Sequence, residues 1–316
     1  MRGTSQLDAD STPHVTKKPR GRSGNNRRTR TAYLFLAPWL IGVVGLIAVP
    51  LLYSLYLSFT NFDVLGTPEW VGLANYERLF FADQRYLHSL TLTLGYVVVS
   101  VPVQLAAALG VALILAPNRR GQGIYRALFY LPSLLGASVG VSIVWRALFQ
   151  RSGTVPELLG TFGFSEQSWI DNPSMIIWVI ILLEVWKFGA PMVIFIAGLH
   201  QIPQEQYEAA ALDGAGKFRT FINITLPALS PVVFFNLVMG VITAFQTFTP
   251  AQVVGDGTGG PSDSTMFYAV YLYQKGFQDM QMGYASAISW VMLVILGIIA
   301  AILFATSKKW VQYGND

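Results

Sequence analysis

Six stretches of predominantly apolar residues, at 33–59, 89–115, 127–149, 175–199, 231–251 and 283–306, alternate with polar segments along the chain. A helix needs about 20 apolar residues, at 1.5 Å each, to cross the ~30 Å hydrocarbon core of a bilayer. Backbone N–H and C=O groups find no water in that core, so apolar runs of this length satisfy them internally as helices. The pattern predicts an all-α polytopic membrane protein with six transmembrane helices.

The polar segment between the fourth and fifth stretches is longer and more patterned than a simple connection requires. Over 208–227 it reads EAAALDGAGKFRTFINITLP. Pro203 suits the first turn of a helix, and 204–212 is rich in Gln, Glu and Ala, all good helix formers. Gly214 and Gly216 permit backbone conformations closed to other residues and break that helix. Phe218, Phe221, Ile222 and Ile224 then give a second, amphipathic helix, and Pro227 and Pro231 mark the entry into the next span. The small side chains at 209–211 leave a smooth surface that a partner's groove can cover, with Glu208 and Asp213 available to basic residues there. A docking helix-turn-helix is one reading; an interfacial amphipathic hairpin without a partner is the other.

Composition narrows the class. The 316 residues are 53% hydrophobic and only 12% charged, and mean hydropathy is +0.47, which excludes an ordinary soluble domain. Zero cysteines remove disulfides and thiolate chemistry, and the three histidines, His14, His88 and His200, lie too far apart to suggest a metal site. Net charge is +4, but its placement follows topology rather than nucleic-acid binding. Lys17, Lys18, Arg20, Arg22, Arg27, Arg28 and Arg30 precede the first span; Arg119, Arg120 and Arg126 follow the second; Lys217 and Arg219 follow the fourth; Lys308 and Lys309 follow the sixth. Asp63, Glu69, Glu77 and Asp83, then Glu157, Glu166 and Asp171, then Asp256, Asp263 and Asp279 mark the alternate connections. Cytoplasmic loops are enriched in Lys and Arg, so both termini and the 203–227 loop are expected in the cytoplasm. Residues 1–30 contain too little apolar surface to fold and read as a disordered basic tail that either orients the first span or contacts anionic membrane lipid. Residues 31–310 form the transmembrane domain and 311–316 a short C-terminal tail.

Two apparent nucleotide motifs fail. In GAGK at 214–217, Phe218 stands where a phosphate-binding loop needs Ser or Thr, and Ala211 where it needs its first glycine. GDGTGG at 255–260 matches G-x-G-x-x-G formally, yet it follows a membrane span and precedes Pro261, and it reads as a flexible external loop. The chain is not expected to hydrolyse ATP or to be an enzyme.

The segment Glu208, Ala209, Ala210, three residues, Gly214, nine residues, Ile224, one residue, Leu226, Pro227 resembles the EAA loop of binding-protein-dependent ABC importer permeases at every specified position. EVWKFGAPMVIFIAGLHQIP before that loop and GGPSDSTMFYAVYLYQKGF after it resemble the carbohydrate branch, which includes maltose and glycerol-3-phosphate permeases. The chain is most similar to the first of that branch's two permeases, without the extra spans and large external insertion of the maltose version. The resemblance implies a multi-pass protein of a prokaryotic cytoplasmic membrane that works by alternating access. A second permease subunit would pair with it as a heterodimer, two ABC ATPase subunits would bind the ATP and Mg, and an extracellular or periplasmic solute-binding protein would deliver a sugar. No cofactor of its own is expected. Glu208, Ala209, Ala210, Asp213, Gly214, Ile224, Leu226 and Pro227 then make the ATPase-coupling surface.

Glu184 and Lys187, three apart in the fourth apolar stretch, are costly at bilayer depth, about 2.5 to 3.5 kcal/mol each on insertion scales. They either neutralise one another or line a solute pathway. In the fifth stretch Asn236, Thr243, Gln246, Thr247 and Thr249 lie among aromatics such as Phe245 and Phe248, a combination suited to an uncharged polyol, although interhelical hydrogen bonding explains any one of them. Family solute sites draw on the spans flanking the EAA loop, which implies Glu184, Trp186, Lys187, Asn236, Thr243 and Gln246 as pathway candidates. An ATP-independent secondary transporter or channel using Glu184, or an importer for a non-sugar solute, is the alternative.

Overall fold

Almost every element of the computed structural model is helical. It describes residues 25–117, 121–136, 138–163 and 168–312. The basic residues Lys17, Lys18, Arg20 and Arg22, the loop residues Arg119, Arg120 and Glu166, and the last four residues lie outside the described residues.

The chain divides into two units at Tyr53. Helix α1 (Asn25–Gly42) continues through a π-helical stretch, Val43–Ala48, into α2 (Val49–Ser58). Its start at Asn25 falls inside the 1–30 segment expected to be unfolded. Extending an existing helix costs far less than nucleating one, and Arg27, Arg28 and Arg30 are good helix formers.

In the second unit a two-residue antiparallel ladder pairs Thr60 with Trp70 and Asn61 with Glu69 and leads through α3 (Ala74–Glu77) to α4 (Gln84–Leu115). Asp83 caps α4, its Oδ1 accepting the Tyr86 amide at 2.9 Å. Along α4 the buried positions Ser89, Thr93, Tyr96, Ser100, Gln104, Ala108 and Ala112 recur every three or four residues, one face of a helix. The opposite face is apolar as well, with Val98 and Ile114 at least 70% exposed. A soluble helix would be polar there, and this one is suited to lipid or a partner helix.

The third apolar stretch is not one helix. It divides into α5 (Gln122–Leu135) and α6 (Val139–Phe149), and the line through α5 bends by 96° into that through 139–161. Pro132 lies in the last turn of α5, and the Ser138 hydroxyl accepts the Val141 amide at 3.3 Å to start α6 anew. After α7 (Thr154–Thr161) the fourth stretch forms α8 (Ile176–Trp186) and α9 (Gly189–Leu199), bent by 41°. Then follow α10 (Gln204–Leu212), α11 (Lys217–Thr220), α12 (Leu226–Ala228), α13 (Ser230–Phe245), α14 (Thr249–Val254), α15 (Tyr268–Tyr273) and α16 (Met282–Ser307). Among the described residues, four helices are long and apolar enough to cross a membrane, Phe35–Ser58, Gln84–Leu115, Ser230–Val254 and Met282–Ser307; the count reaches six if each bent pair is one span. Helix α4 packs against α8, α9 and α13 at the centre, α14 against α6 and α8, and α5 against α9.

The GDGTGG loop is packed rather than loose. Gly260 N donates to Gly255 O at 3.0 Å and Thr265 N to Gly259 O at 2.7 Å, while Thr265, Met266 and Phe267 beyond it are buried. Positive φ at Asp256, Gly257, Gly259 and Gly260 folds the loop tightly. One ion pair holds it, Arg146 to Asp256 at 2.5 Å, and a second, Arg85 to Asp263 at 2.7 Å, holds the turn that follows.

Nearby, Tyr271 and Tyr284 both donate to Asp83 Oδ2, at 2.5 and 2.6 Å, and the Arg78 guanidinium lies 4.3 Å from the centre of the Tyr284 ring. Burial pushes the Asp83 carboxyl up, but the hydrogen bonds from Tyr271, Tyr284 and the Tyr86 amide outweigh it and hold it below the usual carboxylate range. Burial, with that carboxylate beside it, pushes the Tyr271 hydroxyl up. This clasp joins the starts of α4 and α16.

Candidate functional site

Two regions concentrate the residues singled out from the sequence. In the first, Pro203 precedes α10, in which Gln204 Nε2 donates to Glu208 Oε1 at 2.9 Å one turn on. Alternate hydrogen bonds end this helix: Gly214 N to Ala211 O at 3.1 Å and Ala215 N to Ala210 O at 2.9 Å. That is a Schellman motif, which needs a left-handed residue, and Gly214 supplies it with φ +71°. The chain then re-enters helix at α11 and runs through a π-helical stretch, Phe221–Thr225, into α12. Pro227 therefore lies within helix instead of punctuating it; the short break falls at Leu229, next to α13. Because helix precedes Pro227 without interruption, its missing N–H removes one backbone bond from that run, directly after the π-helical stretch.

The two arms meet at Tyr207, whose hydroxyl is 3.1 Å from Thr225 Oγ1. Between them is a groove of about 480 Å³ lined by Ala209, Ala210, Asp213 and Ile224 together with Gln206, Arg219 and Asn223. Of the remaining predicted residues, Glu208, Gly214 and Leu226 are exposed and Pro227 is half-buried. Leu212 is 90% and Phe218 76% exposed. Apolar side chains presented this far from any core of their own are suited to burial by a partner.

The second region lies at the α8–α9 break. Lys187 Nζ is 2.7 Å from Glu184 Oε2, and both side chains are largely buried. The pair does not stand alone. Gln104 on α4 donates to Glu184 Oε1 at 3.1 Å and to the Glu184 carbonyl at 2.9 Å, and the Tyr96 hydroxyl donates to Oε2 at 3.3 Å. From α5, Ser133 Oγ donates to the Lys187 carbonyl at 3.0 Å and accepts the Ala190 amide at 3.0 Å. Backbone groups released by the bend are thus satisfied by side chains of neighbouring helices, as an apolar medium requires. Gly136 and Gly189 allow the approach: a Cβ on the first would meet the Lys187 stem, and one on the second the Phe129 carbonyl.

A groove of about 410 Å³ opens beside the pair, lined by Gln104, Ser133, Glu184, Lys187, Asn236 and Thr243 among apolar neighbours that include Phe235 and Met239. Its polar groups are amides and hydroxyls plus an ion pair that cancels its own charge, a lining for a neutral polar solute. Four of the six pathway candidates meet here. Trp186 does not line the groove; its ring is 5.6 Å from that of Trp145. Gln246 is exposed at the end of α13, outside the groove. Asn236 donates to Val232 O of its own helix at 2.9 Å. Gln104, Tyr96 and Ser133 were missed from the sequence, although a lone amide such as Gln104 inside a long apolar stretch is itself a signal. No group of His, Asp and Glu that could hold a metal ion occurs among the described residues.

Residues 85–313 match the family described as binding-protein-dependent transport system inner membrane component. The chain is 48% identical over 282 residues to the probable ABC transporter permease protein YesP of Bacillus subtilis, covering 89% of this chain and 91% of that protein. It is 32% identical over 275 residues to the trehalose/maltose transport system permease protein MalF of Thermococcus litoralis, covering 85% of this chain and 91% of the relative. In structure it is similar to a chain of the bacterial alginate ABC transporter crystallised with an alginate pentasaccharide-bound periplasmic protein, with TM-score 0.77 and 18% identity over 91% of this chain and 97% of that one.

Proposed function

The chain belongs to the family of binding-protein-dependent transport system inner membrane components, and from that premise we propose that it is the permease subunit of an ABC importer for a sugar or oligosaccharide. One observation carries the substrate class: the groove beside Glu184 and Lys187 offers amides and hydroxyls with no net charge. A relative named for trehalose and maltose supports it. Carbohydrate hydroxyls both donate and accept, and such a lining matches them without demanding a charged ligand.

Both bent helix pairs cross the membrane, giving six spans, with the termini and the 203–227 loop in the cytoplasm. Two ATPase subunits, which bind the ATP and Mg, dock beneath the permease pair, and one of them covers Glu208, Ala209, Ala210, Asp213 and Gly214 of this chain, with Ile224, Leu226 and Pro227 supporting the second arm. A second permease closes the groove from its open side, and an external binding protein delivers the solute. Closure of the ATPase pair shifts the loop and alternates access to the groove. The exposed Leu212 and Phe218 and the smooth alanine surface support a docked partner at that loop.

Uptake of a labelled saccharide into vesicles carrying the complete assembly tests this. ATP-dependent accumulation is expected. Uptake that persists without an ATPase partner and follows a proton gradient would establish a secondary transporter built on Glu184 instead.

A further inference from the structure

The last described residues fold back onto the exit of the 203–227 loop. Gln312 N donates to Ser230 Oγ at 2.9 Å, and Ser230 Oγ donates to Pro227 O at 2.6 Å. Ser230 is buried. One hydroxyl therefore links the segment after α16 to the final residue of the patterned loop. Aromatic packing reinforces the link: the Phe234 ring lies 4.9 Å from that of Phe304 and 5.9 Å from that of Trp310, both edge-on. Val311 is buried beside them.

At its other end α16 is held equally closely. Gly283 N donates to Phe62 O at 2.9 Å, and a Cβ on Gly283 would collide with the Thr60 carbonyl. The next residue, Tyr284, donates to Asp83. Between these attachments α16 is an uninterrupted helix of 26 residues, about 39 Å long at 1.5 Å per residue. A rigid element fixed at both ends moves as a unit, and a displacement at one end is felt at the other.

We propose that α16 is a tie rod between the loop exit and the Asp83 clasp, with Ser230 as the positioning residue at its inner attachment and Tyr284 at its outer one. This rests on the reading of 203–227 as the ATPase-coupling element. In that setting, displacement of the loop by the ATPase pair reaches the far end of the subunit through Ser230 and α16, in parallel with the direct path along α13. Sequence pattern alone gives no hint of this, because Ser230 is the residue before a span and the 311–316 segment reads as a tail.

The test uses the complete reconstituted importer. Uptake per ATP hydrolysed is measured for the wild type, Ser230→Ala, Ser230→Thr and Tyr284→Phe. A single cysteine introduced as Gln278→Cys, in a chain that otherwise has none, reports movement near the clasp through its ATP-dependent labelling. Ser230→Ala and Tyr284→Phe are expected to retain ATP hydrolysis while losing uptake per ATP by at least about fivefold, the low end of ordinary coupling between sites. Both are expected to flatten the labelling change, and Ser230→Thr, which keeps donor and acceptor, to restore it. Wild-type stoichiometry and labelling in Ser230→Ala would overturn the proposal. If Ser230→Ala does not assemble, Tyr284→Phe, which touches no residue of the loop, decides on the same two readouts. A wild-type importer without ATP-dependent uptake would instead defeat the functional reading on which the proposal rests.

Discussion

Gln104 grips Glu184 twice, its amide lying 3.1 Å from the carboxylate and 2.9 Å from the main-chain carbonyl of the same residue. The carboxylate consequently keeps donors from Gln104 and Tyr96 if Lys187 is replaced, whereas replacing Glu184 removes the acid that balances the Lys187 ammonium. Breaking a buried pair by deleting one partner costs about 3–5 kcal/mol, while replacing both by groups of similar shape is often close to neutral. Glu184→Gln is therefore expected to lower thermal stability in detergent most, Lys187→Met less, and the double variant least. Equal losses for the two single variants would show that the Gln104 and Tyr96 bonds do not support the carboxylate.

The Asp83 clasp gives a pH dependence whose sign follows from its bonds. Its native carboxyl titrates below the usual range, so the unfolded chain binds the proton more readily, and ionised Asp83 favours the folded state. That contribution is fully present above the unfolded value of about pH 4 and is lost as pH falls through the lowered native value. Thermal melts between pH 7 and pH 3 are expected to show less acid sensitivity in Asp83→Asn than in the wild type. Tyr271→Phe, which removes one of the bonds holding the carboxyl down, is expected to fall between them. An unchanged acid limb in Asp83→Asn would exclude this carboxylate as its source.

Gly214 separates folding from docking. Its φ of +71° disfavours most side chains, but a Cβ there meets nothing within 4 Å, and Asn and Asp tolerate left-handed backbone better than other residues. Gly214→Asn and Gly214→Asp are expected to cost at most about 1 kcal/mol of stability and to fold normally. If the ATPase covers the loop closely, the added side chain blocks it: Gly214→Asp, and likewise Glu208→Lys, should uncouple uptake from ATP hydrolysis with insertion intact. Normal uptake in both would show that this surface is not the coupling contact.

Much of this was legible in the chain because it is written locally. Alternation of apolar and polar stretches located the long helices, and Pro203, the alanine run and Gly214 marked out α10 and its end. What pattern could not show depends on residues distant in sequence. The break after α5, where the chain turns by 96° into 139–161, follows from Pro132 and the Ser138 cap inside a run that reads as predominantly apolar. GDGTGG and the turn after it are held by Arg146 on Asp256, 110 residues away, and by Arg85 on Asp263, 178 residues away. The groove draws Gln104 and Ser133 from helices unrelated by sequence to Glu184, while Trp186, its near neighbour in the chain, points to Trp145 instead. Adjacent positions on a helix face different ways, so proximity in sequence was a poor guide to the groove.

The break between α8 and α9 depends on Gly189 having no side chain. A Cβ there would fall on the Phe129 carbonyl and lie 2.7 Å from Ser133 Oγ, the hydroxyl that satisfies both the Lys187 carbonyl and the Ala190 amide. Gly189→Ala must therefore part α5 from α9 or displace Ser133 and strand two backbone groups. Overpacking of this kind costs about 1–3 kcal/mol, and each stranded polar group adds a comparable amount. Gly110, by contrast, lies within α4, where a Cβ would meet nothing within 4 Å, and Gly110→Ala gains the roughly 0.5–1 kcal/mol by which alanine exceeds glycine in a helix. Thermal unfolding in detergent is expected to fall for Gly189→Ala and to hold or rise for Gly110→Ala. Ser133→Ala should reproduce part of the first loss, because it removes the same two bonds without crowding the helices. Should Gly189→Ala melt with the wild type while Ser133→Ala does not, the close approach of α5 and α9 is dispensable and the hydroxyl alone maintains the bend.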